Sequence, residues 1–205
     1  AAVVCVYLPL RLLARRAPEQ RQAATRGHAA YFALIALGYL AIEIALLQKL
    51  GLFLGHPNYA LSVVLASLLL TSGLGALWSR SILGALRGIR SAAYALSFLL
   101  LALYLFAFPR LVDGLALPFP TRCLIVLVMV LPVGALLGVF LPWGLDRLKA
   151  SAPSLVPWAW GVNGIFSVLA PVASVAFAMT WGSGALFVAA VPLYLAAALA
   201  FPAEG

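Results

Sequence analysis

The sequence predicts an all-α protein, a polytopic helical transmembrane bundle. Apolar residues make up 65% of the 205 residues and charged residues only 9%, whereas soluble domains carry about 45–50% apolar and about 25% charged residues. The apolar residues also form runs of about 20, the length that an α-helix needs to cross a bilayer. We count a partial run at 1–13 and six complete spans at 30–54, 58–78, 92–112, 121–142, 157–179 and 184–201.

The partial run at 1–13 begins at an alanine inside an apolar segment. It lacks the basic start of a signal peptide, so we interpret it as the end of a helix and expect the chain to be a fragment of a longer protein. The charged segment 14–29 then separates it from the first complete span.

The first complete span, 30–54, carries a carboxylate, Glu43, near its middle. A charged side chain at that depth costs roughly 2.5–3.5 kcal/mol on insertion scales. The carboxylate is therefore either protonated and hydrogen-bonded, or it faces a polar cavity that handles a cation or a proton. Tyr39 shares its helical face, because residues four apart are neighbours on a helix. Gln48 and Lys49 point elsewhere, so we expect the partner of Glu43 on another helix and expect Lys49 to reach the headgroups.

The spans 58–78 and 121–142 carry signals of helix packing. The turn GHPN precedes the span 58–78, and we interpret His56 as a turn residue and Asn58 as the helix N-cap. Small residues recur at helical spacing in two spans, at Ser67, Thr71 and Gly75 and again at Gly134 and Gly138. Such stripes let neighbouring helices approach closely, so we interpret both as packing surfaces.

The fifth span opens with PWAWGVNG and places the polar residues Asn163 and Ser167 on one face with Pro171. Proline cannot donate a helical hydrogen bond, so we expect Pro171 to kink this helix, as Pro132 and Pro192 kink theirs. Kinked helices around a buried acid are typical of a transporter's substrate site, but proline and glycine are also common in ordinary transmembrane helices. WGSG alone separates the last two spans, which predicts a tight helical hairpin.

The positive charges predict the topology. Ten of the 13 Lys and Arg residues lie in or beside the loops 14–29, 79–91 and 143–156. The other side holds Lys49, Arg110 and Arg122. Because cytoplasmic loops carry the excess of Lys and Arg, we predict that these three loops and the C-terminus are cytoplasmic and that the protein lies in the inner (plasma) membrane. The same distribution argues against nucleic-acid binding, despite a net charge of +8.

No catalytic, cofactor or metal site is predicted. His28 and His56 fall on opposite sides of the membrane in this topology, and no Cys/His cluster with metal-ligand spacing occurs. Cys5 and Cys123 lie far apart and indicate no disulfide framework. The sequence also lacks GxGxxG, P-loop and GxSxG motifs, so we expect this fragment to be non-catalytic and to need no cofactor.

Two elements of the sequence resemble a known family. Glu43 is followed by a Gln-Lys pair and the motif GHPNYA, and a later span opens with PWAWGVNG. Within the segments 31–65, 131–148 and 157–182, the chain is similar to the membrane region of bacterial spermidine-synthase-like membrane proteins. The candidate motif residues are Gln48, Lys49, His56, Asn58, Tyr59, Trp158 and Trp160. The resemblance implies that a soluble aminopropyltransferase-like domain of the same parent chain accompanies these helices.

Two functions follow as hypotheses. In the first, the chain is a membrane anchor or scaffold for the synthase-like domain, with the lipid bilayer and that domain as partners. In the second, it binds or transports a small cation, either a polyamine or one coupled to protons, through an intramembrane site formed by Glu43, Tyr39, Asn163 and Ser167. Trp158 and Trp160 would then offer a cation–π face near one mouth.

Overall fold

The computed structural model describes residues 19–201, with side chains from residue 26 onward. The predicted partial span at 1–13 lies outside the described residues. Over the described range the chain is helical and contains no β-strand, which confirms the predicted all-α class.

Six helices make up most of the described chain. They are α1 (Glu19–Leu54), α2 (Pro57–Leu77), α3 (Ser79–Leu86), α4 (Ile89–Ala102), α5 (Phe119–Ser151) and α6 (Val156–Ala200). Short elements connect them: a π-helical turn at Leu103–Ala107, a helical turn at Phe108–Arg110, and 3₁₀ turns at Val112–Gly114 and Pro153–Leu155.

Five of the helical segments are long and apolar enough to cross a membrane. They are Arg26–Leu54, Pro57–Leu77, Ile89–Arg110, Phe119–Ser151 and Pro153–Ala200. Large apolar side chains on their outer surfaces are exposed, with Met179 84% and Phe98 77% accessible. Such a surface is expected where lipid replaces water as the solvent and is compatible with a membrane-embedded protein.

The last two predicted spans, 157–179 and 184–201, fall within the single element α6, so the described chain has five such segments and the predicted count of six complete spans is not confirmed. Gly182 alone has non-helical backbone angles inside α6, with φ 86° and ψ 156°. Beyond it, Gly184 lies beside the Lys49 side chain, and at the other end Phe201 packs edge-on against Tyr31 with ring centroids 5.1 Å apart. The second half of α6 therefore runs antiparallel to α1.

Helix α1 lies at the centre of the bundle and contacts α2, α5 and α6. Its buried side includes Phe32, Ile42 and Leu46, each almost fully inaccessible. The buried Tyr31 hydroxyl donates to the carbonyl oxygen of Phe140 in α5 at 2.6 Å. Polar side chains buried in a bundle need such partners, so this contact fixes α1 against α5.

Helices α2 and α5 pack at close range through the two predicted stripes of small residues. A Cβ atom at Gly75 would overlap the backbone of Ala135, and one at Gly134 would overlap the side chain of Thr71. Gly138 meets the backbone of Ser72 in the same way. Both stripes are therefore packing surfaces, as predicted, and they pack against each other.

The irregular backbone does not coincide with Pro132, Pro171 or Pro192, the prolines expected to kink their helices. Helical structure continues through Pro132 in α5 and through Pro171 and Pro192 in α6. The π-helical turn Leu103–Ala107 instead immediately precedes the turn that contains Pro109. Proline lacks an N–H and its ring crowds the carbonyl four residues earlier, so a local widening of the helix just before Pro109 relieves that contact.

Candidate functional site

Glu43 is partly buried on α1, one helical turn from Tyr39. Within the described part of the chain, its carboxylate has no hydrogen-bond or ion-pair partner. Tyr39 reaches across to α2, where its hydroxyl lies 3.5 Å from the Ser72 hydroxyl. The structure therefore places Tyr39 and Glu43 on one face of α1, as predicted from their spacing, but Tyr39 pairs with Ser72.

Asn163 and Ser167 lie at a different depth. The Asn163 amide donates to the carbonyl oxygen of Phe32 at 3.2 Å, and the Ser167 hydroxyl donates to the carbonyl of Asn163 at 2.9 Å. Phe32 precedes Glu43 by about 16 Å along the axis of α1, given a rise of about 1.5 Å per residue. The four candidate residues thus form two separate pairs, and Asn163 is not the partner of Glu43.

The motif GHPNYA forms the start of α2. His56 is the N-cap residue, and its Nδ1 accepts a hydrogen bond from the backbone N–H of Asn58 at 3.2 Å. The interpretation of Asn58 as the N-cap was therefore wrong, because Pro57 takes the first helical position and moves the cap one residue earlier. Tyr59 packs its ring against Phe119 of α5, with centroids 4.8 Å apart. These motif residues shape the α1–α2 turn.

The remaining motif residues face different surroundings. Gln48 is exposed and Lys49 is partly buried. Trp160 is 53% accessible, whereas Trp158 is partly buried and its indole Nε1 has no hydrogen-bond partner among the described residues. The cation–π contact seen in this part of the bundle involves Trp143, whose ring lies 5.8 Å from the Arg147 guanidinium carbon.

Two arginines have roles that sequence reasoning missed. Arg122 donates from Nη1 to the carbonyl oxygen of Phe53 at 2.9 Å, and Arg110 donates to the carbonyl oxygen of Phe106 at 2.6 Å. The last carbonyls of a helix lack partners within the helix, and cations near a helix C-terminus are stabilising. Arg122 thus caps the end of α1, and Arg110 satisfies a carbonyl of the π-helical turn.

Comparisons with protein-family models, with curated proteins and with solved structures find no match. The likeness to spermidine-synthase-like membrane proteins therefore rests on the sequence motifs alone. Among the described residues, no group of three His, Cys, Asp or Glu side chains lies close enough together to hold a metal ion.

Proposed function

We propose that this chain is the membrane anchor and scaffold of a spermidine-synthase-like protein, located in the inner (plasma) membrane. The observation that carries the proposal is that the polar side chains inside the bundle contact neighbouring helices. The Asn163 amide joins α6 to the backbone of α1, and the Tyr39 hydroxyl joins α1 to α2. Interhelical hydrogen bonds of this kind stabilise membrane bundles, so these groups act in helix packing.

In this proposal the protein crosses the membrane six times within the described residues, turning at Gly182. Two contacts support the sixth crossing. Asn163 meets Phe32 near the start of the first half of α6, and Phe201 at the far end of the second half meets Tyr31 in the same region of α1. Both ends of α6 therefore lie at one end of the bundle, and the Arg80–Asp146 ion pair brings the loop 79–91 to the same end, which supports a shared cytoplasmic side for the loops 79–91 and 143–156.

The alternative function, binding of a small cation at Glu43, is favoured by one observation. The carboxylate is partly buried without a hydrogen-bonding partner in the described chain, and intramembrane acids are commonly functional. Charge balance favours the anchor over a polyamine site, however. The sequence holds only five Asp and Glu residues, and Glu43 is the single one within the apolar spans. One carboxylate neutralises a proton or a monovalent cation, but it leaves most of a polyamine's charge uncompensated in a low-dielectric region.

The scaffold function is tested by photo-crosslinking in the full-length parent protein. A photoreactive residue at Ser81, which is exposed on α3, is expected to crosslink to the synthase-like domain. The matched position Asn58, exposed at the opposite end of α2, is expected to give no such product. Products are identified by mass spectrometry after proteolysis. Absence of domain crosslinks from both positions would contradict the scaffold, and crosslinks from Asn58 alone would contradict the proposed sidedness.

A further inference from the structure

One end of the bundle carries a cluster of exposed cations, which we call the basic end. Its exposed cationic side chains are Arg26, Arg80, Arg87, Arg90, Arg147 and Lys149. Among the described side chains at this end, Asp146 is the one acidic group. The surface therefore carries a large excess of positive charge that helix packing does not explain.

Helix α3 forms part of the basic end. It spans Ser79–Leu86, about 12 Å at 1.5 Å per residue, which is too short to cross a bilayer. Ile82, Leu83 and Leu86 pack against the buried core, whereas Arg80 is exposed on the other side of the helix. A short helix that packs its apolar side on the bundle and exposes an arginine on the other side fits a segment that lies at a membrane surface.

Arg87 occupies a backbone conformation that favours glycine. Its φ is 64° and its ψ is 26°, and Gly88 donates to the carbonyl oxygen of Leu83 at 3.0 Å. This is the Schellman arrangement that ends a helix, in which the left-handed position is usually glycine. A left-handed conformation costs an L-residue roughly 1–2 kcal/mol. An arginine at this position disfavours folding. Its exposed guanidinium therefore points to a role in binding and not in stabilising the fold.

Arg80 is held only weakly. Its Nη2 lies 3.4 Å from the Asp146 carboxylate, and the two side chains are 90% and 48% exposed. Ion pairs this exposed contribute about 0–1 kcal/mol. A phosphate group can therefore compete with Asp146 for Arg80, because guanidinium binds phosphate with two parallel hydrogen bonds.

We propose that the basic end binds the headgroup phosphates of anionic phospholipids, with Arg80, Arg87 and Arg90 as the principal ligands and Lys149, three residues after Asp146 on α5, as a further cation. The positive charge of the surface favours binding of an anion. Because α3 packs on the apolar bundle, these cations lie at the level of the helix ends, where lipid phosphates lie. Basic residues near an anionic membrane surface contribute about 1 kcal/mol each. The proposal goes beyond the anchor function, since an anchor needs no particular lipid.

The test titrates phosphatidylglycerol or phosphatidylcholine into micelles of the purified full chain and measures bound lipid by native mass spectrometry. We expect preferential binding of phosphatidylglycerol. In the R80Q/R90Q double variant its Kd should rise about tenfold or more. Arg110→Gln, which removes an exposed cation at the opposite end that is already bonded to the Phe106 carbonyl, should leave the Kd unchanged. Equal binding of both lipids would overturn the proposal.

Two further variants separate lipid binding from a structural role. Asp146→Asn frees Arg80 and removes the competing charge, so phosphatidylglycerol should bind several-fold more tightly. Arg87→Gly should weaken lipid binding while the thermal unfolding temperature stays equal or rises, because glycine suits the left-handed position. Weaker binding in Asp146→Asn would contradict the proposal. The proposal would also be contradicted if inorganic phosphate stabilised the protein in micelles as much as phosphatidylglycerol does. The site would then bind a free anion and not a lipid headgroup.

Discussion

Gly75→Ala is expected to lower the free energy of unfolding by about 1–3 kcal/mol, the usual range for overpacking. The added methyl group would lie 2.8 Å from the Cα atom of Ala135 in α5 and overlap its carbonyl. The clash is with backbone atoms of α5, and no side chain can rotate away to relieve it. Helices α2 and α5 must therefore move apart. Because several neighbouring small residues pack in the same seam, their contacts are lost together.

Gly73→Ala is the matched control, two residues earlier on the same helix. A Cβ atom there meets nothing within 4 Å, and alanine is favoured over glycine inside a helix by roughly 0.5–1 kcal/mol. Its stability should therefore be unchanged or slightly higher. Thermal unfolding of both variants in the same detergent measures the difference, and equal stabilities would show that the α2–α5 seam is not tightly packed.

Gly182→Ala is expected to cost about 1–3 kcal/mol for a different reason. No atom lies within 4 Å of a Cβ at this position, so overpacking plays no part. The backbone angles, φ 86° and ψ 156°, fall in a region that is open almost exclusively to glycine. Since the second half of α6 packs antiparallel to α1 only through this turn, strain here loosens a large part of the bundle.

Gly164→Ala provides the comparison within the same helix. That position is also open, but its backbone is helical, so alanine should be tolerated. The two variants are compared by thermal unfolding and by protease susceptibility near the turn. If Gly182→Ala matches Gly164→Ala in both measurements, the chain does not reverse direction at Gly182 through a glycine-specific turn.

The features that depend on apolar periodicity and residue size could be predicted from the sequence. The long apolar runs become helices, and the stripe containing Thr71 meets the stripe containing Gly134. Both signals are local, because a helix presents residues three or four apart on one face. The hairpin was also indicated by WGSG, although Gly182 makes the turn with helical structure on both sides.

The features that depend on contacts between distant helices could not be predicted. The Asn163 amide has several carbonyls within reach of its helix, and nothing in its neighbours selects Phe32. Arg122 becomes a cap for α1 only because α5 begins beside the end of that helix. The N-cap of α2, by contrast, could have been predicted from the sequence. Proline favours the first helical position, so Pro57 indicates that the preceding residue, His56, is the N-cap.

The most direct measurement is spermidine binding to the purified 205-residue chain in phosphatidylcholine nanodiscs, with wild type and Glu43→Gln side by side. Neutral lipid removes binding of the cation to anionic headgroups. Because the Glu43 carboxylate makes no hydrogen bond or ion pair in the described chain, and a charge inside the membrane is costly, Glu43→Gln should be at least as stable as wild type. If the domain is an anchor, neither protein binds spermidine saturably. Saturable binding to the wild type that is lost in the folded variant would contradict the anchor and establish a cation site at Glu43.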